Sequence, residues 1–272
     1  MCMIQLVFTD VDGTLVGSSG TVLPAIWPAA ERLRVAGIRM AICSGRPAFG
    51  DARAYAARLD ADGWHVFQNG ASVLHLATGK SLSTPVPPLS VAALIARART
   101  TGRILELYTD SEYAVESTAP RARHHAALLG VPFAPRAFAS LQGTIVRAQW
   151  LVGRSEEDEV VADTTGGLER SSSTSPVMPD TCFVNMTAPG VDKGHAVRSI
   201  AAEYGIPLAD VMFVGDGNND IPALRVVGHP VAMENGEPKV RAAARTIVGH
   251  VDNAGATEAF ALAVESRARG AA

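Results

Sequence analysis

Cysteine is scarce in this chain, with three in 272 residues, at positions 2, 43 and 182. That is too few and too scattered for a disulfide framework or a zinc site. Two of them lie inside apolar runs and read as small core residues. Positive charge is not in excess either. The net charge is −3, which gives no basic stripe and argues against a nucleic-acid partner. No stretch approaches the roughly 18–20 unbroken apolar residues of a membrane span. The first residues run straight into an apolar segment, without a basic region or a small-residue cleavage site. A cytoplasmic protein with no membrane partner is therefore expected. What the chain does have is 47% hydrophobic and 19% charged residues, ample material for a core and no signature of disorder. Its length fits one large domain or two ordinary ones.

Along the chain, strands and helices alternate at both ends. The pattern predicts strands at 3–9, 38–43 and 65–68 with helices at 25–36 and 47–59. The alternation resumes after residue 190, with helices at 195–204, 222–226, 238–244 and 256–269 and strands at 211–214, 231–233 and 246–248. Such alternation implies a parallel sheet with helices on its faces. The middle differs. After the proline-rich link STPVPP (83–88) come helices at 90–100, 121–129 and 156–164. Strands fall at 104–108, 113–117, 144–152, 168–173 and 181–187, several joined by short turns. This is an α+β pattern with an antiparallel sheet. The fold class is thus α/β: a Rossmann-like parallel-sheet core formed by residues 1–83 and 188–272, with an inserted α+β domain at 84–187.

Four short segments fall at strand ends or helix starts, where open parallel sheets bind ligands. In FTDVDGTL (8–15), Asp10 and Asp12 stand two residues apart after an apolar strand. One carboxylate can attack phosphorus and the other can carry a proton; taken alone, the segment also fits a hairpin turn. It fails as a calcium loop, because Leu15 and Thr21 occupy the positions that need Gly and Glu. In SGRP (44–47), Ser44 and the backbone at Gly45 can bind a phosphate oxygen, or Ser44 can simply cap a helix that opens at Pro47. Lys193, in VDKG, can neutralise neighbouring carboxylates and bind phosphate as a point charge, or be a surface lysine. In GDGNND (215–220), Asp216 can complete an oxygen shell for magnesium and Asn219 can donate to phosphate. Asp220 can orient Lys193 or a metal-bound water.

Taken together and in this order, DVDGTL, CSGRP, VDKG and GDGNND resemble the four motifs of the haloacid dehalogenase superfamily of phosphotransferases. The inserted α+β domain and QNGA (68–71) resemble the cap and third-strand loop of its type IIB, Cof-like subgroup, although Gln68 stands where Glu is common in relatives. The resemblance covers essentially the whole chain. It implies a phosphatase using Asp10 as nucleophile and Asp12 as general acid/base. Mg2+ would sit on Asp10, the backbone carbonyl of Asp12, and Asp216. Phosphate would be held by Val11, Ser44, Gly45, Lys193 and Asn219, with Asp220 as a supporting partner and Asn69 as a candidate substrate contact.

The inserted domain would then supply most contacts to the leaving group, with 83–88 and 187–190 as hinge strands. Candidates are Glu106, Tyr108, His124, His125, Arg147, Trp150 and a Ser/Thr-rich turn at 171–175. The expected substrate is a small phosphorylated metabolite, with a sugar phosphate favoured. A sugar phosphomutase and a non-catalytic phosphometabolite-binding protein are the alternative readings. Oligomeric state is not legible.

Overall fold

The computed structural model describes residues 3–175 and 177–271; Cys2 lies outside them. The chain divides into two compact units. One comprises Met1–Arg46, Ala52–Leu82 and Asp192–Ala272, the other Pro47–Asp51 and Ser83–Val191.

The first unit begins with β1 (Leu6–Thr9), α1 (Ile26–Val35), β2 (Arg39–Ile42), α2 (Gly50–Asp60), β3 (Trp64–Phe67) and β4 (Ser72–His75). The second unit holds α3 (Pro88–Thr101), β5 (Ile104–Tyr108), β6 (Tyr113–Val115), α4 (Pro120–Leu128), β7 (Arg147–Gly153), α5 (Glu157–Ala162), β8 (Glu169–Ser175) and β9 (Met178–Thr187). The first unit then resumes with α6 (Lys193–Glu203), β10 (Val211–Gly215), α7 (Ile221–Leu224), β11 (His229–Met233), α8 (Pro238–Ala243), β12 (Thr246–Val248) and α9 (Ala256–Ala271).

Five parallel strands in the order β12-β11-β10-β1-β2 form the sheet of the first unit. Every residue of β1 and β10 is buried, as expected for central strands covered on both faces, which need apolar side chains throughout. Helix α1 buries Ile26, Ala29, Ala30 and Leu33, the i, i+3, i+4, i+7 stripe of an amphipathic helix. Helix α6 starts where the Asp192 carboxylate accepts the His195 amide at 2.7 Å, a side-chain cap that satisfies an otherwise orphaned donor. Its buried face (Ala196, Val197, Ile200, Ala201) packs with Leu6, Phe8 and Phe213 of the sheet.

Three local expectations change. The helix expected from residue 47 begins only at Gly50, whose φ of +61° is a left-handed conformation that a continuing helix does not allow. Ser44 is therefore not a helix cap. Strand β3 pairs antiparallel with β4, a strand the sequence reading passed over. It meets the parallel sheet at an isolated bridge, Cys43 to Val66. Residues 171–175 form most of edge strand β8, not a turn.

His65 completes the ladder where β2 and β3 diverge. It is fully buried, and its Nδ1 accepts the Ile42 amide at 3.1 Å. Nε2 therefore carries the proton and donates to the Asp60 carbonyl at 2.7 Å. Burial pushes its pKa down to about 4. A histidine whose folded pKa lies below its unfolded value contributes full stability above about pH 6.5 and loses it as pH falls towards 4. By pH 4.5 the expected loss is about 2.5 kcal/mol. Urea unfolding of the wild type and His65→Gln at pH 7 and 4.5 checks this: the variant should lack that part of the pH dependence, and equal slopes would refute it.

The second unit is an antiparallel sheet in the order β6-β5-β7-β9-β8. One face carries Leu105, Leu107, Ala148, Trp150 and Val184, packed with Leu94 of α3 and Val160 of α5. Trp150 is thus core, which corrects its candidacy as a substrate contact. On the other face, Ala122 of α4 packs with Ile104, Leu151 and Phe183. Among the described residues, no helix is long and apolar enough to cross a membrane.

Candidate active site

The carboxyl ends of β1, β2 and β10 gather the four sequence segments. Lys193, the first residue of α6, has no solvent exposure. Its Nζ donates to Asp10 Oδ1 at 2.8 Å and to Asp220 Oδ1 at 2.6 Å. Burial works against the ammonium charge, but the two carboxylates outweigh it and hold its pKa above the usual lysine value. Asp10 is pushed the other way: burial raises its pKa well above the carboxylate range, opposed by Lys193 and reinforced by Asp220 and Asp216. Burial likewise lifts Asp216 to about 6.

Both oxygens of Asp220 are committed. Oδ1 accepts Lys193, and Oδ2 accepts the amides of Asp216 and Gly217, each at 2.9 Å. This wiring makes Asp220 a positioning group for the lysine and for the Asp216 loop. Carboxylate oxygens of Asp10, Asp216 and Asp220 lie within 4.8 Å of one another. Hard oxygen donors of this kind suit Mg2+, and a bound cation would counter the mutual repulsion that, after burial, raises Asp10 and Asp216. The residues therefore fit the metal.

The loop after β1 is built around this cluster. Gly13 has φ +82°, and a Cβ there would come within 2.0 Å of Asp216 Oδ2; only glycine lets the two loops approach. Thr14 Oγ1 donates to Asp216 Oδ1 at 3.0 Å, and Asn235 Nδ2 donates to the Gly13 carbonyl at 2.8 Å. Asp12 is mostly exposed, its side chain retaining 59% of its surface. Arg46 grips it bidentately, Nε to Oδ2 at 2.9 Å and NH2 to Oδ1 at 2.6 Å. Ser44 is buried, and its Oγ accepts the Arg46 amide at 3.1 Å. The Ser44 carbonyl accepts the Asn69 amide at 2.9 Å. Asn69 Oδ1 in turn accepts Asn219 Nδ2 at 2.9 Å. Gln68 and Asn69 both have left-handed backbones, with φ of 53° and 57°, and strain of this kind collects at functional loops.

The structure therefore brings together Asp10, Lys193, Asp216 and Asp220, and joins Ser44, Asn69 and Asn219 through one hydrogen-bonded chain. Val11 is buried at the end of β1, and Gly45 lies beside Asn69, whose Oδ1 would sit 3.0 Å from a Cβ at that position. Sequence reasoning quoted Arg46 and Thr14 inside motifs but gave them no part, and it missed Asn235. The tripeptide ENG gives no hint that its Asn binds a loop more than two hundred positions earlier. Cys43 lies beside this cluster, but burial pushes its thiol pKa well up, away from nucleophilic use. A buried carboxylate beside a lysine, with the Asp216 carboxylate at hand for a metal, is an arrangement suited to nucleophilic phosphoryl transfer.

The family described as haloacid dehalogenase-like hydrolase matches residues 7–260. The Escherichia coli protein named 5-amino-6-(5-phospho-D-ribitylamino)uracil phosphatase YbjI is 26% identical over 262 residues, covering 90% of this chain and 91% of its own. A haloacid dehalogenase-like hydrolase from Bacteroides thetaiotaomicron superposes with a TM-score of 0.83 at 23% identity, covering 95% and 99% of the two chains. The subclass IIB sugar phosphatase BT4131 superposes at 0.78 with 23% identity, covering 95% and 98%. The α/β core with its inserted α+β unit is the fold of these neighbours, and the chain belongs to the haloacid dehalogenase-like hydrolases.

Proposed function

We propose that this phosphatase hydrolyses a small phosphorylated metabolite, of the sugar or polyol phosphate class, through a covalent phosphoryl group on Asp10. The observation that carries the reading is the buried Lys193 bridging Asp10 and Asp220, which holds one Asp10 oxygen and leaves the carboxylate fixed in direction. In the first step the other Asp10 oxygen bonds to phosphorus as the bond to the leaving oxygen breaks, and Asp12 gives that oxygen its proton. In the second, water attacks phosphorus, Asp12 takes the water proton, and phosphate departs to restore the Asp10 carboxylate. Asp12 must exchange its Arg46 partner for the leaving oxygen to do this.

Ser44, Asn219, Lys193 and the amides of Val11 and Gly45 would hold the transferring group. Asp10, Asp216 and the Asp12 carbonyl would hold Mg2+, which supplies charge neutralisation between two anionic reactants. The inserted unit, 84–187 in this reading, would select the leaving group. The relative from Escherichia coli, named for a ribitylamino phosphate, supports the small-metabolite class.

The test is phosphate release from a panel of sugar, polyol and cofactor phosphates with Mg2+ and with a chelator, combined with acid quenching during turnover. Release that stops with the chelator, together with acid-stable phosphate mapped to Asp10, is the expected result. Turnover that survives the chelator would exclude the metal, and label on any other residue would exclude the nucleophile.

A further inference from the structure

The turn between β11 and α8, residues 234–237, lies outside both loops that carry the metal-facing carboxylates, yet it holds the two together. On one side it packs against Asp216. The Glu237 amide donates to the Asp216 carbonyl at 3.1 Å, and a Cβ at Gly236 would come within 3.3 Å of Asp216 Cα. The Asn218 side chain donates to the Glu237 carboxylate. On the other side Asn235 reaches the loop after β1, where its Nδ2 donates to the Gly13 carbonyl at 2.8 Å. Its Oδ1 accepts the Val251 amide at 2.9 Å. The Glu234 amide donates to the Val248 carbonyl at 2.8 Å, so the turn is also tied to the end of β12.

These contacts close a ring. Asn235 fixes the Gly13 peptide, whose own amide donates to the Val16 carbonyl at 2.8 Å. The next residue, Thr14, donates to Asp216 Oδ1 at 3.0 Å. Asp216 returns to the turn through its carbonyl. All of these residues belong to one compact unit. Asp10 and Asp216 stand at the ends of different strands, so their separation depends on how firmly these loops are joined.

That firmness bears on which cation fits. Mg2+ demands near-octahedral oxygen ligands at about 2.0–2.1 Å, whereas Ca2+ accepts looser shells at about 2.3–2.6 Å. A site held tight favours the smaller ion, and loosening it penalises Mg2+ more than Ca2+. Hydrogen bonds that aim metal-binding carboxylates are worth about ten- to a hundredfold in metal affinity.

We propose that Asn235 is a positioning residue for the metal site: through Gly13 and Thr14 it fixes Asp216 against the Asp10 loop, and so sets the preference for Mg2+ over Ca2+. The inference rests on the metal assignment above and deepens it.

The experiment measures Mg2+ and Ca2+ affinities without substrate, from the rise of melting temperature with cation concentration at constant ionic strength. The proteins are wild type, Asn235→Ala, Thr14→Val and the double variant. Asn235→Ala should lower Mg2+ affinity by about tenfold or more and Ca2+ affinity by less than about threefold. Thr14→Val should shift the preference in the same direction. The double variant should lose little more than the worse single variant, because both substitutions break one chain of contacts. Equal losses for the two cations, or no loss, would make Asn235 an ordinary structural residue. Losses that simply multiply would exclude the route through Thr14. If Asn235→Ala does not fold, Thr14→Val carries the test, and an unchanged preference in it overturns the proposal.

Phosphate release from the panel above is scored separately. A preference that shifts in the variants while wild type hydrolyses no ester would leave the inference standing and remove the phosphatase reading. Mg2+-dependent release with an unshifted preference in the variants would do the reverse. A wild type that binds no Mg2+ would overturn the inference, and release that survives the chelator would then keep the phosphatase without its metal.

Discussion

Asp10→Asn is expected to lower phosphate release by about 10⁴-fold or more, since removing a nucleophile that acts as part of a unit costs on this order. The amide keeps the size of the side chain but cannot form the bond to phosphorus. Stability should not follow activity. Burial already holds the Asp10 carboxyl well above its ordinary pKa, so a neutral group of the same shape is no costlier to fold than the ionised one. Metal-free Asp10→Asn should therefore melt no lower than wild type. Phosphate release and thermal melting, measured on the same preparations, check both halves. A hundredth or more of wild-type release would remove Asp10 from its role, and a large fall in melting temperature would make it a structural residue.

Lys193→Met should do the opposite and cost both properties. The ammonium sits between two buried carboxylates. Its removal leaves them facing one another without compensation, and breaking a buried ion cluster from one side costs about 3–5 kcal/mol. Release should fall about 10³-fold, the scale on which a lost electrostatic stabiliser slows charge transfer in a dry site. Urea midpoints of Lys193→Met, Asp220→Asn and the double variant separate the contributions. The double variant should be more stable than Lys193→Met alone, because it removes one of the two opposed charges. A cost below about 1 kcal/mol for Lys193→Met would show that the cluster is not held as ions.

Asp10, Asp216, Lys193 and Asp220 were legible in the sequence because short motifs fix both residue type and place at a strand end. Strand–helix alternation made the parallel sheet legible in the same way, since β1 and β10 carry unbroken apolar runs. The start of α2 was not legible: proline at 47 fits a helix opening, and nothing local reveals the left-handed backbone at Gly50. Strand β4 was passed over because it is four residues long and follows three consecutive residues with positive φ, two of them not glycine. The Arg46 grip on Asp12 and the Asn235 clamp on Gly13 join residues 34 and 222 positions apart; such pairs have no periodicity to betray them. In the inserted unit, Trp150 and Arg147 were both candidate substrate contacts on one apolar strand, and only the structure shows Trp150 in the core packed against α3 and α5.

The interruption of the core by the inserted unit sets an order on how the chain can assemble. Strand β1 is flanked by β2, a short distance ahead, and by β10, reached only after the whole of Ser83–Val191 has passed. A chain emerging from the ribosome can pair β1 on one edge early, while the other edge stays open until residue 215 has been made. The inserted sheet, contiguous and built largely from near neighbours, can finish first, since short closures carry the smaller entropy cost. The contact between Lys193 and Asp10 spans 183 positions and belongs to the last closure. The chemistry of the site is thus withheld until the polypeptide is nearly whole, and a chain stalled before β10 carries an unpaired apolar strand edge of the kind that chaperones must shield.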